Sequence, residues 1–406
     1  MMSKFDFVSH LERHGMDALA VDGLGVGEAP DKPDEGFDAI PMWVADMNFP
    51  TAPSIVDAIV ARAKHPAFGY FSPSADYYRA IIDWQSRRNG VAGLAADAIG
   101  YENGVLGGMM SAIAAYAAPG DPVLLHSPTY IGFTHVLEIN GYRTVLSPLV
   151  QDAHGVWRMD YSDMEKKLEE NHIHVVVLCS PHNPCGRVWE CDELERAMEL
   201  FRKHDCVVVS DEIWSDLIMP GYHHIPTQSI NEDARRRTIA LYAPSKTFNL
   251  AGLVGSYHVI YDPCMRDRVV SRTKKSRYNG MNVLSMHALI GAYSHDGEEW
   301  LDELLLVLNK NIDWACNYIR DNFDGVTLMR PEGTYMLFLD CSSWCAAHSR
   351  DIDWVLHEGW RVGVDWQDGR PFHGPCHLRM NLALPLDRVQ EAFSRLDKYV
   401  FNARTS

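Results

Sequence analysis

Four places in this 406-residue chain set reactive or ligand-binding side chains directly behind apolar runs. The run Thr238–Tyr242 leads into Ala243-Pro244-Ser245-Lys246-Thr247-Phe248-Asn249-Leu250-Ala251-Gly252-Leu253. A lysine in so apolar and glycine-containing a segment does not read as a surface residue. A lysine whose pKa is lowered by burial is the usual Schiff-base nucleophile. The run CVVVSD ends on Asp211, an acid at the mouth of a buried strand. Burying a carboxylate is costly unless a cation pairs with it. A protonated pyridine nitrogen would be such a cation, and the pairing would keep that ring an electron sink; an N-cap for a segment at Ile213–Leu217 is the alternative.

The third place follows HVVVLC, as Ser180-Pro181-His182-Asn183-Pro184-Cys185-Gly186. It reads equally as a proline-bounded turn with Asn183 in a permissive conformation. The fourth is Asn103-Gly104-Val105-Leu106-Gly107-Gly108, between a strand and a helix. Glycines let the backbone approach an anion, and the free N–H groups of a helix start favour phosphate. Such turns are common, and no Gly-Lys-Ser/Thr ends this one, so it is not a Walker loop.

Positioning these groups falls to a pattern of short apolar runs alternating with amphipathic helices. The seven candidate strands are Ile99–Glu102, Pro122–His126, Arg143–Leu146, His174–Cys179, Cys206–Asp211, Thr238–Tyr242 and Ser256–Ile260. Helical segments lie between them at Met109–Ala118, Tyr161–Glu170 and Asp192–His204, the last with Leu194, Met198 and Phe201 at helical spacing. Strands apolar throughout, separated by helices, indicate an α/β fold with a mostly parallel seven-stranded sheet covered on both faces. Ligands of such sheets sit at the carboxyl ends of the strands, where all four features fall. Beyond residue 262 the pattern shifts to helices near 282–294 and 297–322, a strand at Tyr335–Leu339, a helix near 351–358, a strand at His377–Asn381 and a closing helix from Leu386. The expected division is an arm and part of a small domain over 1–60, a large domain over 61–290 and a smaller α+β domain over 291–406.

A net charge of −17 argues against a nucleic-acid surface, which needs clustered Lys and Arg; Arg235-Arg236-Arg237 is too short to supply one. No apolar stretch approaches the roughly 18–20 residues that span a bilayer, and the first residues lack a signal-peptide pattern, so a cytoplasmic protein is expected. Nine cysteines, an odd count from Cys179 onward, read as free thiols. Cys341 and Cys345 lack a second pair for zinc, so no metal is expected. His223-His224 and His172-x-His174 read as solvated loop residues.

Together, the Asn-Pro turn, an Asp 28 residues on and a Ser-Lys 35 residues beyond that resemble the fold-type-I pyridoxal-phosphate (PLP) enzymes of the aminotransferase class I/II superfamily. The resemblance extends to His377-Leu378-Arg379-Met380-Asn381-Leu382-Ala383, similar to the strand whose Arg binds the substrate carboxylate. Pro41-Met42-Trp43-Val44-Ala45-Asp46-Met47-Asn48-Phe49, Phe68-Gly69-Tyr70 with Trp84 downstream, and Ser245-Lys246-Thr247-Phe248-Asn249 look like the MalY/PatB group of cystathionine β-lyase-type carbon–sulfur lyases. Val254 stands where ordinary aminotransferases carry an Arg on the cofactor phosphate, which also resembles the lyase group.

The resemblance implies that Lys246 forms the Schiff base with PLP and is the catalytic acid or base. Asp211 would pair with the pyridinium, Asn183 would serve the ring hydroxyl and the substrate carboxylate, and Tyr130 would stack on the ring. Val105, Leu106 and Ser245 would hold the phosphate, with Tyr70 reaching it from the neighbouring subunit of a homodimer. Arg379 would clamp the carboxylate of an amino acid or cysteine S-conjugate. Three residues after the Asp, where the family has Tyr or His on the ring hydroxyl, stands Trp214, which donates a hydrogen bond but neither accepts nor titrates. The implied reaction is β-elimination from a cysteine S-conjugate to a thiol, pyruvate and ammonia; transamination is the alternative.

Overall fold

The computed structural model describes residues 4–276 and 279–402. The chain forms two units: one of Thr51–Asn183 with Arg187–Leu301, the other of the chain up to Pro50, Pro184–Gly186 and the chain from Asp302 onward.

The larger unit is built on one sheet whose strands are β1 (Ile99–Asn103), β2 (Pro122–Ser127), β3 (Arg143–Gln151), β4 (Trp157–Met159), β5 (Val175–Cys179), β6 (Val207–Asp211), β7 (Thr238–Tyr242) and β8 (Gly255–Val259). Their order across the sheet is β1-β8-β7-β6-β5-β2-β3-β4. Strands β5 and β7 are buried at every position, which is why their sequences run apolar without alternation. The seven expected strands are all present, and the sheet gains an eighth. β4 pairs antiparallel with the outer end of β3, and three residues are too few to show a period. The expected parallel arrangement holds for the centre, while β8 runs antiparallel to both its neighbours.

The register brings the carboxyl ends of the central strands level. Cys179 lies opposite Asp211, and Asp211 opposite Leu241. Beyond the strands, the Ser180 N–H donates to the Asp211 carbonyl and the Glu212 N–H to the Leu241 carbonyl, each at 2.9 Å. The loops that follow β5, β6 and β7 therefore start side by side. Helix Val105–Tyr116 buries Val105, Met109, Ala112 and Ile113 against the sheet. Helix Cys191–Lys203 buries Leu194, Ala197, Met198 and Phe201, and a capping box of Glu190 and Glu193 starts it. Pro53–Ala63 and Ala75–Asn89 are further helices; the second is capped by Ser74 and ended by left-handed Gly90.

In the other unit, β9 (Met336–Asp340), β10 (Gln367–Asp368) and β11 (His377–Asn381) form an antiparallel sheet with β11 in the centre. Phe338 and Gln367 both lie opposite Arg379. Ile40–Pro41 pairs in parallel with Val364–Asp365. The closing helix ends at Leu396 and gives way to a wider turn over Asp397–Phe401. All nine cysteines are free. No helix among the described residues is long and apolar enough to cross a membrane.

Candidate active site

Asp211 ends β6 buried, and the Ile213 N–H donates to its Oδ1 at 3.0 Å. That contact makes a tight turn; residues 213–217 form no helix, so the capping alternative falls. Burial pushes the Asp211 carboxyl up to about 7, against the opposing pull of the Ile213 N–H and the nearby Lys246 ammonium. The site holds an acid that one further cation would ionise fully.

Lys246 lies half-buried in the turn after β7, beside half-buried Ser245. The turn is closed by Phe248 N–H to Pro244 carbonyl and Leu250 N–H to Ser245 carbonyl, both 2.9 Å. A second acid, missed in the sequence, holds it from the side. Buried Asp216 accepts from Thr247 Oγ1 at 2.9 Å and from Trp84 Nε1 at 3.0 Å. Trp214 is buried, with the Lys246 Nζ 6.0 Å from the centre of its ring. The indole thus faces the lysine, at the outer limit of a cation–π contact.

Asn183 is buried in the loop after β5, where its N–H meets the Cys179 sulfur. His182 beside it and His126 at the end of β2 are both buried, and burial lowers them to about 3 and about 4, so both are neutral. Gly104 precedes helix Val105–Tyr116 at φ 77°, a conformation that suits glycine and leaves the first helical N–H groups open for an anion. Across from it, the Cβ of a residue at 132 would lie 2.4 Å from Tyr130 Cε1 and 3.0 Å from Leu106 Cδ1. Only glycine there lets the Tyr130 ring lie down beside the helix start. Val254 takes φ 60°, unusual for a β-branched residue, and a Cβ on Gly104 would lie 3.6 Å from its Cγ1.

His224, expected in solvent, instead has a buried side chain. Its Nε2 meets fully buried Glu212 at 2.8 Å, and Glu212 also takes hydrogen bonds from Tyr242 Oη, Ser210 Oγ and the Thr227 N–H. This cluster fastens the loop behind Asp211, and nothing in the spacing of these residues signals it. Tyr70 is wholly exposed, on a stretch with exposed Phe68 and Phe71.

Arg379 belongs to the other unit, buried in the middle of β11. Its guanidinium lies over the Phe372 ring at 4.4 Å, and its Nη2 donates to the Trp43 carbonyl at 3.1 Å and to Gln367 Oε1. Packing on three sides fixes the plane of the fork, as bidentate recognition of a carboxylate requires.

Comparison with known proteins supplies the family. Residues 39–396 match the family described as aminotransferase class I and II. The chain belongs to that family. It is 33% identical to cystathionine beta-lyase PatB of Bacillus subtilis over 88% of this chain and 92% of that protein. It is 32% identical to the protein MalY of Escherichia coli over 83% and 84% of the two chains. The crystal structure of cystalysin from Treponema denticola, which contains pyridoxal 5'-phosphate, superimposes with a TM-score of 0.88 at 29% identity, covering 97% of this chain and 98% of that one.

Proposed function

We propose that this family member is a PLP-dependent carbon–sulfur β-lyase that splits a cysteine S-conjugate into a thiol, pyruvate and ammonia. The observation that carries the reading is the pairing, at the ends of β6 and β7, of buried, cation-seeking Asp211 with Lys246. That pair fits PLP: an acid for the ring nitrogen and an amine for the aldehyde, with the Gly104 turn and helix start suited to the phosphate. The lyase relatives named above favour elimination over transamination.

When bound, PLP supplies a sink for the electron pair released at the substrate α-carbon. The protein's own groups do the rest. Lys246 Nζ would hold the cofactor aldehyde, and as a free amine would serve as the base for the substrate α-proton. Asp211 keeps the ring nitrogen protonated, which makes the sink effective. Asn183 would donate toward the ring hydroxyl and the substrate carboxylate, and Tyr130 would stack on the ring. The backbone of Val105 and Leu106, with the Ser245 hydroxyl, holds the phosphate. Trp214 Nε1 can donate toward the ring hydroxyl but cannot take a proton from it. Arg379 grips the carboxylate, and Tyr70 completes the phosphate site of a second copy in a homodimer. Nine free thiols suit the reducing cytoplasm.

The test supplies purified protein with L-cystathionine, and separately with an amino acid plus 2-oxoglutarate. Pyruvate and a thiol in the first reaction are expected. Glutamate in the second, with no thiol in the first, would replace the lyase reading by transamination.

A further inference from the structure

One support of Arg379 is the main-chain carbonyl of Trp43, which lies outside any strand. Its position depends on whatever fixes the irregular segment 42–48. The sheet and the residues flanking its strands supply part of the hold. Asn381 Nδ2 donates to the carbonyls of Val44 at 2.7 Å and Asp46 at 2.5 Å, the Tyr335 hydroxyl donates to that of Ala45 at 3.0 Å, and the Asn48 N–H donates to that of Ala383 at 2.8 Å.

The opposite side is held from the N-terminal arm by one residue in particular. Arg13 Nη2 meets Asp46 Oδ2 at 2.5 Å, while its Nη1 meets Asp46 Oδ1 at 3.2 Å and Asn48 Oδ1 at 2.9 Å. The guanidinium spans both carboxylate oxygens and the amide two residues on, which a lysine could not do. With the Arg13 and Asp46 side chains only 13% and 18% exposed, the pair is largely shielded from solvent. A second tie runs from Trp43 Nε1 to the Ala20 carbonyl at 3.0 Å. Elsewhere the arm is tied by buried Phe7 against Phe49, by the Glu303 carboxylate under the Lys4 and Phe5 N–H groups and by His10 with Asp387, but none of these contacts reaches the Trp43–Asp46 segment.

We propose that Arg13 is a positioning residue for the substrate carboxylate: it fixes the Trp43 carbonyl, and through it the plane of the Arg379 fork. The inference rests on the reading of Arg379 as the carboxylate-binding group. Without Arg13, the Asp46 carboxylate loses its counter-charge where water reaches it poorly. The segment would then shift toward solvent, carrying the Trp43 carbonyl away from Nη2.

Binding to the holoenzyme, read without turnover, tests this. 2-Methylalanine has no α-proton, and its methyl ester lacks the carboxylate charge. Each is titrated by the change in the cofactor's visible absorption, and the ratio of the two dissociation constants measures carboxylate preference. Arg379→Ala should abolish the preference. Arg13→Ala should lower it about tenfold with the unliganded spectrum unchanged, about half of what a charge-assisted contact supplies. Arg13→Lys should recover only part of the loss, and Asp46→Asn should reproduce it; these two carry the comparison if Arg13→Ala does not fold. If Arg379→Ala abolishes the preference but the Arg13 and Asp46 variants leave it intact, or weaken acid and ester equally, the inference is overturned. If Arg379→Ala itself leaves the preference intact, the carboxylate reading fails and the inference falls with it.

Discussion

The residue that most rewards a physical reading is Asp211, because its environment is wrong for a carboxylate until a cation arrives. Its pKa in the folded apoprotein is about 7, against an ordinary 3.8, and burial is the main cause. Between those values the folded chain keeps a proton that the unfolded chain has released. This contribution to apoprotein stability is complete below pH 4 and is lost as pH rises through 7, by up to about 4 kcal/mol. Asp211→Asn cannot ionise and should remove that component. The difference in thermal midpoint between variant and native apoprotein should therefore move in the variant's favour from pH 5 to pH 8. A constant difference would show that Asp211 is ionised throughout. The places of Asp211, Asn183 and Lys246 at or just beyond strand ends were legible in the sequence because each follows an apolar run, while their roles came from the family resemblance. Glu212 with His224, and Asp216 with Thr247, were not legible: His224 lies 12 residues on along an irregular loop, and Thr247 lies 31 residues on, beyond helix Glu232–Arg237 and β7, so no local period links the partners.

At the scale of elements, the central strands and the helices between them could be read from composition alone, since burial on both faces demands continuous Val, Ile and Leu. What escaped was set by short range or by partners: β4, with three residues, exists because β3 offers it an edge. The antiparallel run of β8 has no signature in its residues, for direction is a property of the connection. The turn before helix Val105–Tyr116 is the element on which cofactor retention should depend most. Gly104→Ala would force a Cβ into φ 77°, ψ 154°, a region essentially reserved for glycine, at about 1–3 kcal/mol, in space that is otherwise open apart from Val254. The strain would relax by tilting the first N–H groups. Gly104→Ala should fold with near-native stability yet release PLP on dialysis about tenfold more readily. Native retention in that variant would mean that the phosphate is held elsewhere.

At the scale of the whole molecule, one exposed stretch bears on the proposed homodimer. The stretch after helix Pro53–Ala63 exposes Phe68, Tyr70 and Phe71, and the helix itself exposes Val56 and Val60, one turn apart. Exposed large apolar side chains so close in sequence are suited to being covered by another protein. If Tyr70 completes the phosphate site of the opposite subunit, each site of the dimer draws Lys246 from one chain and Tyr70 from the other. Coexpression of two separately tagged variants, Lys246→Ala and Tyr70→Ala, tests this by arithmetic. In a hybrid dimer both defects fall in one site, and the other site receives a native Lys246 and a native Tyr70. Random pairing makes half of all dimers hybrids with one intact site, so about a quarter of native activity should appear, and half of native in hybrids isolated through both tags. If Tyr70 instead served its own chain, every site in the hybrid would carry one defect. Activity would then not exceed the mean of the two parent variants, and the shared site would have to be abandoned.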